Sequence, residues 1–109
     1  MTPPIRQEET IWKRTKRDAL GDPRGITIGP SGEFFVGSRR SRAGGGQIYR
    51  GDLLTGEVAL FITLAAGQMA AGLQLEPRTN YLFVSGADDV RVYDANSGVL
   101  LQRYVVSGA

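Results

Sequence analysis

An all-β fold is what this chain of 109 residues predicts, and three observations lead to it. The first is an internal repeat. Gly25-Ile26-Thr27-Ile28-Gly29-Pro30 returns as Gly72-Leu73-Gln74-Leu75-Glu76-Pro77, Phe34-Phe35-Val36-Gly37 as Leu82-Phe83-Val84-Ser85, and Asp52-Leu53-Leu54-Thr55-Gly56 as Asp94-Ala95-Asn96-Ser97-Gly98. The offset is 47 residues at the first landmark and 42 at the last, so the copies differ by an indel. The second is that short apolar runs alternate with turn residues. The third is a count of 15 glycines, which suits many tight turns because glycine tolerates positive φ. A period in the forties with four short strands per copy is the signature of a β-propeller blade. The expected architecture is therefore two four-stranded antiparallel β-propeller blades, an incomplete propeller, preceded by an N-terminal extension. Residues 1–21 make the extension, 22–67 the first blade and 68–109 the second.

The elements follow in order. In the extension, Gln7 to Leu20 has helical composition, Glu9 can pair with Lys13, and Gly21 with Pro23 would end a helix. Thr10 to Thr15 reads equally as an outer strand that closes a propeller, and both readings stay open. Gly25–Ile28 is a short apolar strand followed by a Gly-Pro-Ser-Gly turn. Glu33–Ser38 is a second strand, rich in aromatic and β-branched residues. A polar glycine-rich connection leads to a third strand at Gln47–Gly51 and a fourth at Glu57–Leu64. The second copy supplies Gly72–Leu75, Tyr81–Ser85, Val90–Tyr93 and Val99–Val106. The first strands are more uniformly apolar than the others, as expected for strands buried near a propeller axis between neighbouring blades. In the last strand, Leu100, Gln102 and Tyr104 are expected on one face, with Val99, Leu101, Arg103 and Val105 on the other.

Composition limits the chemistry. There is no Cys and no His, so disulfides, thiolate metal sites and histidine-based catalysis are excluded within this chain. Any metal would need oxygen ligands. Net charge is +2, but residues 1–50 carry ten Lys/Arg against five Asp/Glu, and residues 51–109 carry three against six. That split is read as a solvated basic end, or as head-to-tail pairing of copies. No run reaches the length of a membrane span, and no apolar N-terminal core marks export. A cytoplasmic chain without a membrane partner is expected.

Several motifs invite a function, and most have a plainer reading. Gly29–Gly32 and Gly44–Gly46 lack the Lys-Ser/Thr of a phosphate loop and read as turns. Arg50-Gly51-Asp52 spells an adhesion tripeptide, but Asp52 matches Asp94 and reads as a turn cap. Asp88-Asp89 reads as a polar hairpin. Arg39, Arg40 and Arg42 crowd positive charge into the loop between second and third strands. They are candidate contacts for an anionic ligand, and the plainer reading is solvated loop charge. No nucleic-acid motif accompanies them, and nucleic acid is not expected as a partner. Thr27 and Gln74 hold equivalent places on the innermost strands and are candidate ligand contacts lining a channel.

The stretch from Pro23 to Ser38, continued by Gly46 to Asp52, resembles the first blade of gluconolactonase-like propellers, the superfamily of senescence marker protein and regucalcin. Ala71 to Pro77, with Leu82 to Gly86 and Val92 to Asp94, resembles the next blade. The likeness spans about Asp22 to Tyr104. It implies a six-bladed propeller that hydrolyses sugar lactones with a divalent metal such as calcium or zinc, in a family often exported. Relatives place a metal-binding Glu between Pro and Gly before the first inner strand, and Arg24 stands there in this sequence. A guanidinium repels a cation. The later blades, which supply further ligands, are not in this sequence. No catalytic or metal-binding residue is therefore carried over, no cofactor is assigned, and Arg24 joins the ligand-contact candidates. The expected activity is that of a portion of a hydrolase-like propeller, inactive alone. The alternative is a non-enzymatic binding or scaffolding module for an anionic small molecule or protein. Repeat folds need about three units for stability. The expected partners are thus further blades, from a longer or complementary chain or from copies of this one, three of which would make six blades.

Overall fold

The computed structural model describes residues 23–38 and 45–106. The extension, with its choice between outer strand and short helix, and Arg39, Arg40 and Arg42 of the loop lie outside the described residues. Among the described residues there are eight strands and no helix: β1 (Pro23–Ile28), β2 (Glu33–Ser38), β3 (Gln47–Asp52), β4 (Val58–Thr63), β5 (Gly72–Glu76), β6 (Tyr81–Ser85), β7 (Asp89–Asp94) and β8 (Leu100–Val105). They form two antiparallel four-stranded sheets, ordered β1-β2-β3-β4 and β5-β6-β7-β8. Each sheet is a simple meander, so every neighbour in space is a neighbour in sequence.

The turns explain why the strands stop where they do. In the first sheet the Asp52 carboxylate accepts hydrogen bonds from the Leu54 and Thr55 N–H groups at 2.7 and 3.2 Å. In the second, Asp94 accepts from Asn96 and Ser97 at 2.8 and 2.9 Å. Gly56 and Gly98 then take φ of 74° and 79°, a conformation that opposes any side chain. The repeated Asp and Gly of the sequence are thus one turn built twice, and the adhesion tripeptide is part of it.

The larger core lies between the sheets, and Phe34 and Val36 form a smaller cluster on the far face of the first, beside Tyr49, Leu53 and Val58. Phe35, Ile48 and Leu64 from the first meet Ala70, Leu75, Leu82, Val84, Tyr93 and Ala95 from the second, all buried. Full burial of a large apolar side chain is worth about 1.5–3 kcal/mol, so this contact dominates the stability of the pair. β1 lies beside β5, and the Leu75 N–H donates to Thr27 Oγ1 at 3.1 Å across the junction. The approach depends on small residues. A Cβ at Gly37 would lie 2.7 Å from the Ala70 carbonyl oxygen, and one at Gly25 would lie 3.2 Å from that of Ala71. Arg50 crosses the same junction. Its guanidinium sits 5.8 Å from the Phe35 ring centre and 5.5 Å from that of Phe61, and it donates to the Asn96 carbonyl at 3.4 Å.

Two expectations need correction. The first strand of the first copy is not buried on both faces: Ile26 and Ile28 are 38% and 39% exposed, on the side away from the second sheet. The last strand does not alternate uniformly. Val92 pairs with Gln102 but Tyr93 pairs with Leu100, so a bulge at Leu101 puts Leu100 on the face opposite Gln102. A matching bulge interrupts β3 and β4, where Ile48 pairs with Ile62 and Tyr49 with Leu60.

Candidate functional site

Antiparallel partners share a face, which sorts the side chains of the second sheet. Leu73, Leu75, Leu82, Val84, Arg91 and Tyr93 turn toward the first sheet, as the register and their burial agree. Gln74, Phe83, Ser85, Val90 and Val92 turn away. On that outward face lies a shallow hollow of about 250 Å³, lined by Gly72, Leu73, Gln74, Phe83, Ser85 and Val90. Gln74 is exposed at its edge, with its amide only 3.4 Å from the Leu75 carbonyl oxygen.

The structure separates the candidates of the sequence. Thr27 is 8% exposed, and its hydroxyl holds the junction between the sheets, away from solvent. Gln74 neighbours that hydrogen bond along β5 but belongs to the open face. Arg24 is exposed at a register shift between Pro23 and Gly25, on β1, and does not line the hollow. A second depression of about 410 Å³ sits by the first turn, among Glu33, Arg50, Asp52, Thr55, Glu57 and Val58. Its acids are the turn and strand-end residues already described.

Sequence reading missed one cluster. Asp89, expected as part of a polar hairpin, is 2% exposed. Its Oδ2 accepts from Arg91 Nη2 at 2.8 Å and from Arg103 Nε at 2.7 Å. Asp88, beside it, is exposed and offers its carbonyl oxygen to the Val106 N–H. Arg91 is 3% exposed and lies opposite Arg103 in the β7–β8 register. Two like charges placed opposite one another destabilise a sheet unless an acid stands between them. Asp89, two residues before Arg91 and so on its face, is that acid. The signal was present in the spacing of Asp89, Val90 and Arg91, but only the pairing with Arg103 gives it meaning. Among the described residues, Asp89 Oδ1 and Arg91 Nε and Nη1 find no hydrogen-bond partner. Beside this cluster, burial pushes the Tyr93 phenol above its usual pKa, with Arg91 opposing the shift.

No protein-family model matches this chain, and no curated protein matches it. Among the described residues, no group of three or more Asp or Glu converges to hold a metal ion. With a guanidinium at position 24 as well, the described residues do not fit the divalent cation of a lactone hydrolase, and no catalytic step is routed through one. What the open face offers is apolar contact around a hollow, with the Gln74 amide and the Ser85 hydroxyl as groups that donate and accept hydrogen bonds.

Proposed function

We propose that the chain is a propeller building block: two blades of a β-propeller resembling gluconolactonase-like hydrolases, serving assembly and binding, with no lactone hydrolysis of its own. The observation that carries this reading is the junction between the sheets. Two four-stranded meanders pack face to face with their first strands side by side, β1 against β5, pinned by Thr27 and Leu75. Successive propeller blades are related in this way, the first strand of each lying nearest the axis. Arg24, in place of a metal-binding acid, supports the non-hydrolytic part.

The test is hydrolysis of sugar lactones with calcium, zinc or manganese added in turn. No turnover above the buffer rate is the expected result, and metal-dependent turnover would restore the hydrolase reading. The exposure of Arg24 favours a second role as a contact for an anionic ligand. In that case citrate or phosphate raises the melting temperature of the chain, and Arg24→Ala reduces the rise.

A further inference from the structure

Resting on the building-block reading, we propose that the hollow on the second sheet receives β1 of a second copy of this chain, so that copies join head to tail. The repeat makes the case residue by residue. At the offset of 47, Gly72, Leu73 and Gln74 correspond to Gly25, Ile26 and Thr27. Pairing within each sheet extends the match, setting Phe83 against Phe35, Ser85 against Gly37 and Val90 against Ile48. Those six residues line the hollow. Their six counterparts belong to the first sheet, whose inner face is filled by the second. There Ala70 and Leu73 press on Gly37, Leu75 joins the shared core, and the Leu75 N–H bonds Thr27. The hollow is the same socket built a second time and left open.

The first sheet carries the matching plug. Leu73 and Leu75, which plug the first socket, correspond to Ile26 and Ile28. These are the two residues found 38% and 39% exposed on the far side of the first sheet. Among the described residues, one end of the molecule thus shows an open socket and the other a β1 plug whose Ile26 and Ile28 stand exposed beside the buried Phe34 and Val36, and they are copies of the two halves of an interface that already exists. Gln74 takes the place of Thr27, and its amide oxygen is an acceptor for the Ile28 N–H, the counterpart of the Leu75 N–H. At one corner the new contact is wider, because Ser85 stands where the first sheet has Gly37. Charge agrees with the direction, since the half of the sequence containing β1 is basic and the half containing β5 acidic. The contact is heterologous, so it closes a ring or grows a filament according to its rotation.

Sedimentation of the 109-residue chain tests this with two variants. Ile28→Asp spoils the plug and Ser85→Arg fills the socket. The wild-type chain is expected to sediment as a ring of defined mass or as open polymers. Each variant alone is expected to sediment as a single chain with the wild-type circular dichroism spectrum. Mixed in equal amounts, they form a two-chain species, because one keeps its socket and the other its plug. A monomeric wild type, a variant that still self-associates, or a mixture that stays monomeric overturns the proposal. Should either variant lose its β-sheet spectrum, Ile26→Asp and Gln74→Arg replace them with the same expected outcomes. Lactone turnover by the wild type would overturn the building-block reading without changing the sedimentation result, so the two failures are distinguishable.

Discussion

At the scale of single residues, two kinds of acid shape this molecule. Asp94 is a turn acid. Hydrogen bonds from the Ser97 and then the Asn96 N–H hold its carboxyl below the ordinary carboxylate pKa. At Glu76, desolvation is outweighed by hydrogen bonds from Arg78 and Thr79, and its pKa is also lowered. A carboxylate with a depressed folded pKa adds stability above its unfolded pKa and loses it as pH falls through the folded one. The melting temperature should therefore fall on acidification below about pH 4, the ordinary carboxylate range. Asp94→Asn keeps an acceptor for both N–H groups but does not titrate, so its acid limb is expected to be shallower. Asp94→Ala loses both hydrogen bonds and melts lower at every pH. Thermal scans from pH 2 to 7 compare the three. Asp89 is the other kind, buried between two arginines. Asp89→Ala leaves Arg91 charged, buried and unpaired, and the expected loss is about 3–5 kcal/mol in urea unfolding. Asp89→Leu combined with Arg91→Leu is expected to recover much of it, since apolar replacement of a whole buried pair is often neutral. A double variant as unstable as Asp89→Ala alone would show that the pair carries a role beyond charge balance.

At the scale of elements, the strands were legible and their irregularities were not. All eight lie within a residue or two of their expected bounds, because apolar alternation and Gly, Asp and Pro at the ends are local properties. The bulges at Phe61 and Leu101 depend on the fit between two strands, and no single strand announces them. The same limit hid the Asp89 cluster, which needs Arg103 from another strand. It also hid the exposure of Ile26 and Ile28, which read as axis-buried residues when judged by their own composition. Of the site candidates, the repeat located Gln74 and Thr27 correctly as equivalents, yet only packing shows one filled and the other open. The junction of β1 with β5 gives the element-scale prediction. Thr27→Val keeps the shape but strips the Leu75 N–H of its acceptor, at an expected cost of about 1–3 kcal/mol. Gly37→Ala drives a methyl toward the Ala70 carbonyl, and overpacking of this kind costs about 1–3 kcal/mol. Urea midpoints measure both, and a neutral Gly37→Ala would mean that the sheets can slide apart without penalty.

At the scale of the whole molecule, the sheets depend on each other more than on themselves. Phe34 and Val36 form a small buried cluster on the outer face of the first sheet, but Leu75, Leu82, Val84 and Tyr93 share their larger core with Phe35 and Ile48 across the junction. Each hairpin is local, so secondary structure forms without long loop closures, but the larger share of the stabilising burial arrives when the sheets dock. Unfolding should accordingly be one event. Residues 68–109 expressed alone are expected to give no cooperative urea transition. In the full chain, the amides of Val36 in the first sheet and Val84 in the second should exchange with solvent at the same free energy of opening, because losing the junction releases both sheets together. Hydrogen exchange in stepped urea reads this directly. If Val84 opened well before Val36, or the isolated half folded, each sheet would be a self-sufficient unit, and the shared core would be an accessory to folding rather than its cause.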